Sequence, residues 1–382
     1  MKGMAKLDDS SFLRTIDKSG MLELCLKTNE LCDEAVAMTR SFKLPRKAQI
    51  SKDLQIVYGK PRNVIIAGMG GSAIGGDLLH DWLLNRVGVP IEICRDYCLP
   101  AYANEETLVF VVSYSGETEE TLSALLDAVK RSCMVVVIAS GGTLISFAQK
   151  LHLPYITVRS GLQPRVAVPY LFFPLALTME RIGLISSMEE EIRETSKVLR
   201  VLAVKNSPKM PLKENFSKKL AWELRSTIPA VYGFRHFRAV AIRFKSELNE
   251  NSKIPAKWES FPELNHNDTV GWEGSEKLTK EFTVILIRDE DETPEIQNRI
   301  ETTKKLSLSK ARSVFEIEAT GKSVLAKMFS VLFLGDLTSI YLAILLGVDP
   351  APVKIITALK KELQKNYNIV GTLQEKIDAL TR

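Results

Sequence analysis

The chain has 382 residues, of which 45% are hydrophobic and 25% are charged, and this composition excludes disordered, collagen-like and membrane-embedded proteins. The length exceeds what one hydrophobic core usually organises, so we expect two domains. Lys and Arg exceed Asp and Glu by 51 to 46, but the basic residues are scattered, which argues against nucleic acid as a partner.

Cysteines and histidines offer little material for disulfides or metal sites. The five cysteines are odd in number and include no CxxC pair, and the chain has four histidines, so we expect no metal. The first residues contain no apolar segment typical of a secretion signal, and the apolar stretch 166–179 is short and contains two prolines. We therefore expect a cytoplasmic protein without a membrane partner.

The N-terminal half begins with helical spacing and then changes to a strand and helix alternation. Residues 7–43 predict a leading helical hairpin. From Asn63, short β-branched runs separated by helical stretches are typical of a parallel sheet covered on both faces. The predicted strands are NVIIAG, IEICRDY, TLVFVVSYS, MVVVIASGG and YITV.

The first of these strands leads into a glycine-rich turn, GMGGSAIGGD at 68–77. A turn of this kind exposes backbone N–H groups at the positive end of a helix and predicts an anion site. It also contains the GxGxxA spacing of a dinucleotide fingerprint, with Asp96 at a plausible distance. A purely structural turn would use the same glycines, so the glycines alone leave three interpretations open.

A cluster of hydroxyls follows another predicted strand, in SYSGETEET at 113–121. Ser113, Ser115, Thr118 and Thr121 lie around one predicted helix start, where ordinary N-capping needs a single hydroxyl. The surplus suits a phosphate dianion with three terminal oxygens. The cluster therefore favours a phosphorylated ligand.

The serine loop resembles the phosphosugar loop of the sugar isomerase (SIS) domain family, which has a Ser-x-Ser-Gly-x-Thr-x-Glu-Thr pattern. By this resemblance, hydroxyls of the loop bind the phosphate of a sugar phosphate. The residues to which the resemblance assigns phosphate binding are Ser113, Ser115, Thr118, Thr121, and Ser72 with Gly71 of the glycine turn.

The second half repeats the alternation after the charged segment 204–219. Its predicted strands are IPAVYGF, the FPEL region, FTVILIRD and VFEIEA. The apolar run 328–348 predicts a buried helix because it contains Asp, Thr and Ser, and the last predicted helix runs from Pro352 to about Lys365. We expect an α/β fold with two tandem SIS-type domains, each a mostly parallel sheet flanked by helices. The predicted limits are 1–50 and 351–382 for the terminal helical segments, and 51–200 and 215–350 for the domains.

Glu250 and His266 are the candidates for proton transfer in the second half. Glu250 ends a predicted helix, and His266 follows about sixteen residues later, so a carboxylate and an imidazole converge if one strand separates them. One carboxylate is able to move a proton between neighbouring carbons of a sugar. From the residues alone, a solvated helix face and a structural histidine are the more common explanations.

The motifs ELNEN at 247–251 and NHN at 265–267, with Pro164-Arg165 and Ala358-Leu359-Lys360, resemble the bifunctional phosphoglucose/phosphomannose isomerases. The resemblance covers nearly the whole chain. It implies that Glu250 moves the C1–C2 proton, that Arg165 stabilises the enediolate, and that His266 assists ring opening from the partner subunit of a homodimer. Lys360 is then the second ring-opening group, and neither a metal nor an organic cofactor is needed.

One position departs from that family. Some members have a threonine about seven residues before the lysine, where this chain has Val353 or, in a neighbouring alignment, Ala351. If that threonine assists rotation about C1–C2, the activity toward mannose 6-phosphate is the part in question. Two alternatives stay open: a non-catalytic phosphosugar-binding SIS module, and an SIS-type isomerase of amino-sugar phosphates. The stretches 189–218 and 291–310 look longer than a compact member requires.

Overall fold

A computed structural model describes residues 4–366 and 368–381 and divides into two compact units. The five-stranded unit comprises Leu31–Met188 and the residues from Val353 onward. The four-stranded unit comprises the residues up to Glu30 and Glu189–Pro352. Because each unit gathers segments distant in sequence, the domain limits drawn along the chain stay a prediction.

The described chain contains fifteen α-helices. They are α1 Ser10–Ile16, α2 Met21–Leu26, α3 Thr28–Arg40, α4 Gly71–Leu83, α5 Glu119–Lys130, α6 Gly142–Lys150, α7 Val168–Arg181, α8 Glu189–Lys205, α9 Phe216–Leu224, α10 Arg238–Glu250, α11 Glu276–Thr279, α12 Pro294–Leu306, α13 Val324–Leu345, α14 Lys354–Asn366 and α15 Ile369–Leu380.

The strands form two parallel sheets and a short hairpin. They are β1 Lys47–Gln49, β2 Gln55–Val57, β3 Asn63–Ala67, β4 Ile91–Cys94, β5 Thr107–Ser113, β6 Met134–Ala139, β7 Tyr155–Thr157, β8 Ile228–Phe234, β9 Lys257–Phe261, β10 Phe282–Arg288 and β11 Ser313–Glu318.

The five-stranded sheet has the order β4-β3-β5-β6-β7 with all neighbours parallel. Its central strands β5 and β6 are buried along their whole length, as expected for strands covered by helices on both faces. Helix α4 packs against α7, and Gly75 makes the approach possible because a Cβ there would lie 2.3 Å from the Leu171 carbonyl oxygen. The prediction of a covered parallel sheet is confirmed.

The four-stranded sheet has the order β11-β10-β8-β9 and is also parallel. The FPEL region was predicted as a strand, but only Phe261 belongs to β9, which is formed by KWESF. The reason is Pro262, which has no N–H to donate to a strand neighbour and which precedes a short 3-10 turn, Glu263–His266.

Helix α13 is the central helix of the four-stranded unit and packs against α2, α8, α9 and α10. It is apolar on all sides, and Ser323 caps its start by accepting a hydrogen bond from the Ala326 N–H. By length and composition it is the one helix in the described chain that is able to cross a membrane, but 94% of its apolar window is buried inside the protein. A buried helix was predicted here.

Two elements were not predicted. The antiparallel hairpin β1-β2 consists of two three-residue strands, too short to produce a visible periodicity. Helix α15 follows the last predicted helix and buries Leu373 and Ile377, which join the core of the five-stranded sheet.

The N-terminal helical segment was predicted as a hairpin and contains three helices, α1 to α3.

Both sheets use one strand order, since numbering each from its own first strand gives 2-1-3-4, with a fifth strand added in the larger sheet. In such a sheet the chain reverses its direction of travel between the first and third strands. Ligands of open parallel sheets bind at this switch point, beside the carboxyl ends of the strands. A ligand-binding site is therefore expected at the loops after β3 and β5, or at those after β8 and β10.

Candidate active site

The glycine turn after β3 and the serine loop after β5 lie side by side, because β3 and β5 are neighbouring parallel strands. Gly70 has a φ of 51°, a left-handed value that favours glycine, and Gly71 begins α4. Ser72 is buried, and its Oγ accepts a hydrogen bond from the Tyr114 N–H at 3.0 Å. This bond joins the two loops directly.

The serine loop folds around Ser113, which ends β5. Its Oγ lies 2.9 Å from the Thr118 Oγ1 and accepts a hydrogen bond from the Gly116 N–H at 3.1 Å. Gly116 is required because its φ is 73° and a Cβ would lie 2.0 Å from the Gly141 carbonyl oxygen. The loop is therefore a tight turn that holds two hydroxyls together.

The other two predicted hydroxyls differ in exposure. Ser115 is exposed, and its Oγ accepts a hydrogen bond from the Glu117 N–H at 3.2 Å. Thr121 lies in the first turn of α5, is 1% exposed, and its Oγ1 has no hydrogen-bond partner in the described structure. Thr118 stands at the N-cap of α5 without capping it through its side chain, so its hydroxyl also keeps bonding capacity.

Two helix N-termini face this edge of the sheet. Helix α4 follows β3 and α5 follows β5, so both begin at the carboxyl ends of neighbouring strands. The unpaired N–H groups and the dipole at a helix start favour a bound anion. Together with the hydroxyls, they make this edge suited to phosphate.

Arg165 also belongs to the five-stranded unit. It lies between β7 and α7 and is 4% exposed. The surrounding turn is held by hydrogen bonds from the Val166 N–H to the Gln163 carbonyl (2.9 Å) and from the Ala167 N–H to the Pro164 carbonyl (3.2 Å). Pro164 lies next to Gly71, at which a Cβ would approach its carbonyl oxygen to 3.5 Å. The arginine turn therefore packs against the glycine turn.

Glu250 is the last residue of α10, in the four-stranded unit, and is half-buried. One turn earlier lies a buried ion-pair network in which Arg243 contacts Glu247 (Nη1 to Oε1, 2.8 Å) and Asp336 of α13 (3.3 Å). Burial by itself would lower the pKa of Arg243, but the carboxylates of Asp336 and Glu247 outweigh it and raise that pKa. The guanidinium therefore stays charged.

The network continues beyond the end of α10. The Asn251 amide donates to Glu247 Oε2 at 2.7 Å and to the Ser339 hydroxyl at 2.9 Å, and Ser252 donates to the Ser339 carbonyl at 2.6 Å. Lys253 donates to the Glu250 carbonyl, where a cation also favours the negative end of the helix dipole. The helix end that carries Glu250 is thus bonded to α13 on several sides.

His266 ends the 3-10 turn after β9 and is exposed. Its neighbours hold the turn, since Asn265 donates to the Thr303 hydroxyl of α12 at 2.8 Å, and Asp268 accepts hydrogen bonds from Tyr232 of β8 and Lys257 of β9. The position of His266 therefore depends on contacts with α12 and the sheet.

Glu250 and His266 are carried by different parts of the four-stranded unit. Helix α10, which ends at Glu250, connects β8 to β9, and His266 ends the turn that follows β9. The turn is bonded to α12 through Asn265, whereas the end of α10 is bonded to α13 through Asn251. The convergence of the two side chains stays a prediction.

Lys360 lies in α14, which belongs to the five-stranded unit by contacts, and it is exposed. Ala351 is 3% exposed, and Val353 is half-buried just before α14. Neither residue carries a hydroxyl.

Sequence reasoning overlooked Tyr114, Arg243 and Asp336 as residues of the site. Arg243 and Asp336 carry charge within apolar helical runs, a signal that is available in the sequence but that does not identify the partner. For Tyr114 the sequence contains no pattern that indicates its contacts.

Within the ranges that the structure describes, no group of three or more His, Cys, Asp or Glu side chains is placed to hold a metal ion.

The fold places the chain in a class. It is similar to the glucose-6-phosphate isomerase like protein of Thermus thermophilus, with a TM-score of 0.59 and 19% identity over 92% of this chain and 99% of that one. Residues 213–363 match the family described as bacterial phospho-glucose isomerase C-terminal SIS domain. The class is therefore that of proteins built from SIS-type sheets.

Relatives define the family more closely. The chain is 42% identical over 301 residues to the bifunctional phosphoglucose/phosphomannose isomerase of Caldicellulosiruptor bescii, covering 78% of this chain and 89% of the relative. It is 34% identical over 324 residues to the protein of that name in Aquifex aeolicus, covering 83% and 94%. The chain belongs to the bifunctional phosphoglucose/phosphomannose isomerase family, which confirms the resemblance predicted from its motifs.

Proposed function

We propose that this protein interconverts fructose 6-phosphate with glucose 6-phosphate and mannose 6-phosphate. The observation that carries the proposal is the union of glycine turn, serine loop and two helix starts at one switch point, in a chain of this family. The phosphate is bound by hydroxyls and N–H groups of this edge. The assigned residues are Gly71, Ser72, Ser113, Ser115, Thr118 and Thr121.

Glu250 acts as the base. Its carboxylate takes the proton from C1 of open-chain fructose 6-phosphate, the C2 carbonyl oxygen receives the electron pair, and a cis-enediolate forms. Glu250 then returns the proton to C2, which restores its carboxylate, while the proton of the O1 hydroxyl passes to O2 and the C1 carbonyl forms, giving the aldose. The buried network around Arg243 and Asn251 supports this role because it holds the end of α10 in place.

Arg165 stabilises the enediolate. A guanidinium keeps its charge at any working pH and donates several hydrogen bonds in one plane, and charge stabilisation of a developing oxyanion is a large part of catalysis. The burial of Arg165 and its packing beside the glycine turn support this assignment.

His266 and Lys360 open the sugar ring. His266 acts in the site of the partner subunit of a homodimer, and the exposure of the His266 side chain supports this arrangement. The missing hydroxyl at Ala351 and Val353 bears on which C2 epimer forms, because the face of C2 that receives the proton decides between glucose and mannose.

We place the protein in the cytoplasm, with small sugar phosphates rather than nucleic acid or membrane as its partners.

In the first experiment, fructose 6-phosphate is incubated with the protein and excess chelator, and the products are identified by carbon NMR. We expect both aldose phosphates. Glucose 6-phosphate alone would restrict the activity to one epimer, and no turnover would favour a phosphosugar-binding module.

Glu250→Gln tests the base. We expect kcat to fall by about a thousandfold, within the range for loss of a general base, while the affinity for fructose 6-phosphate measured by calorimetry changes little. Glu276→Gln, at an exposed position in α11, is the matched control. Unchanged turnover in Glu250→Gln would refute its role as the base.

Complementation tests the shared site. His266→Ala and Glu250→Gln are each expected to be inactive, and after co-expression the mixed dimer contains one site free of both changes. Random pairing then restores about a quarter of the wild-type activity. No recovery in a dimer verified by light scattering would contradict the contribution of His266 across subunits.

A further inference from the structure

Tyr114 stands between the two serines of the phosphate loop, but its side chain is directed into the protein and is only 6% exposed. Its backbone already joins three segments. The N–H donates to Ser72 Oγ, and the carbonyl accepts hydrogen bonds from the Ser140 N–H at 2.9 Å and from Ser140 Oγ at 2.7 Å. The residue therefore ties the serine loop to the glycine turn and to the end of β6.

The phenol group of Tyr114 makes two further hydrogen bonds. It donates to the Arg159 carbonyl at 2.9 Å and accepts from the Leu162 N–H at 2.9 Å. These two backbone groups flank a bend at Gly161, whose φ is 84°. The bend lies on the exposed connection between β7 and Arg165, so a single phenol fixes it from both sides.

The connection from this bend to Arg165 is short and stiff. Arg165 lies three residues after Leu162, and Pro164 restricts the backbone between them. A shift of the bend is therefore transmitted to the arginine turn rather than absorbed by a flexible loop. Burial raises the pKa of the Tyr114 hydroxyl, so the group is present as a phenol that both donates and accepts at neutral pH.

We propose that Tyr114 is a positioning residue that holds Arg165 at a set distance from the phosphate-binding loop. The phosphate loop and the arginine are thereby aligned on one substrate by a single side chain. This inference rests on the proposed role of Arg165 in stabilising the enediolate.

Tyr114→Phe removes the two phenol bonds and keeps the backbone bonds to Ser72 and Ser140. We expect kcat to fall about tenfold, because small misplacements of catalytic groups are costly. The KM for fructose 6-phosphate and the inhibition constant of inorganic phosphate are expected to stay within about twofold, because the phosphate loop is intact. Such a split is not the result of a general loss of structure.

Tyr58→Phe is the matched control. Tyr58 is half-buried in the same unit, and its hydroxyl donates to the Val135 carbonyl at 2.7 Å. Its loss is expected to lower thermal stability to a similar extent and to leave kcat unchanged. An equal loss of kcat in both variants, or a rise in KM as large as the fall in kcat for Tyr114→Phe, would overturn the proposal.

A double-mutant cycle separates this proposal from the role of Arg165 itself. If Tyr114 acts through Arg165, then Tyr114→Phe causes no further loss of kcat in an Arg165→Ala background. Full multiplication of the two losses refutes the positioning role, whereas undiminished turnover in Arg165→Ala refutes the proposed function of the arginine. If Tyr114→Phe does not fold, Leu162→Pro removes the N–H group that donates to the Tyr114 phenol and is expected to lower kcat in the same way.

Discussion

The two units have the same strand order but different chemistry at their switch points. In the five-stranded unit, the loops after β3 and β5 present glycines, hydroxyls and N–H groups. In the four-stranded unit, the loops after β8 and β10 present His236 and an acidic run that begins at Asp289. Topology therefore makes a site possible in both places, and the loop residues decide what it is able to bind.

The switch point of the four-stranded unit is filled by its own charges. Lys327, in the first turn of α13, is 1% exposed and donates to Asp289 Oδ1 at 2.6 Å and to Asp291. His236 Nε2 lies 3.5 Å from the other oxygen of Asp289. The acidic side chains neutralise the lysine, so this switch point does not attract a phosphate dianion. At the switch point of the five-stranded unit, the helix N-termini favour a bound anion.

Removal of Lys327 is expected to have the strongest effect, a loss of stability in the four-stranded unit. Lys327→Met leaves Asp289 buried without its main partner, and loss of one member of a buried pair costs about 3–5 kcal/mol in the free energy of unfolding. The KM for fructose 6-phosphate is expected to stay within about twofold. Chemical denaturation and steady-state kinetics measure the two effects, and a large rise in KM would indicate that this switch point binds substrate after all.

Ser113→Ala tests phosphate binding at the switch point of the five-stranded unit. A hydrogen bond to a charged group contributes about 2 kcal/mol, so we expect KM for fructose 6-phosphate to rise about thirtyfold. The stability of the four-stranded unit is expected not to change. Ser146→Ala is the control, because among the described residues the Ser146 hydroxyl bonds to the Gly142 carbonyl of its own helix and to no other group. An unchanged KM in Ser113→Ala would remove this residue from the phosphate site.

The smallest expected effect concerns acid stability. Burial would raise the pKa of Asp289, but the nearby His236 ring and the hydrogen-bonded Lys327 ammonium outweigh it and lower the pKa from 3.8 to about 2. Because the folded pKa is the lower one, the carboxylate stabilises the fold above pH 3.8, and this contribution is lost as the pH falls toward 2. The stability difference between the wild type and Asp289→Asn, followed by denaturation at several pH values, is expected to narrow over that window. A constant difference would show that the ion pairs do not contribute.

Much of the fold was predictable because the signals are local. Buried parallel strands such as β5 and β6 read as continuous apolar runs, and the serine loop follows one of them within a few residues. The FPEL region was wrong as a strand because Pro262 ends the ladder there, and β1-β2 was too short to show a period. The site residues assigned by resemblance stay predictions that the experiments above test.

The amino-acid sequence alone was sufficient to predict the α/β class, the parallel sheets and, through its motifs, the family. These follow from patterns that repeat or cluster within about ten residues. Only the tertiary structure decided that Arg243 pairs with Asp336 across 93 positions and that Tyr114 bonds to Arg159 across 45. Such contacts depend on how helices and loops pack against one another, and a local pattern carries no record of a partner so distant in the chain.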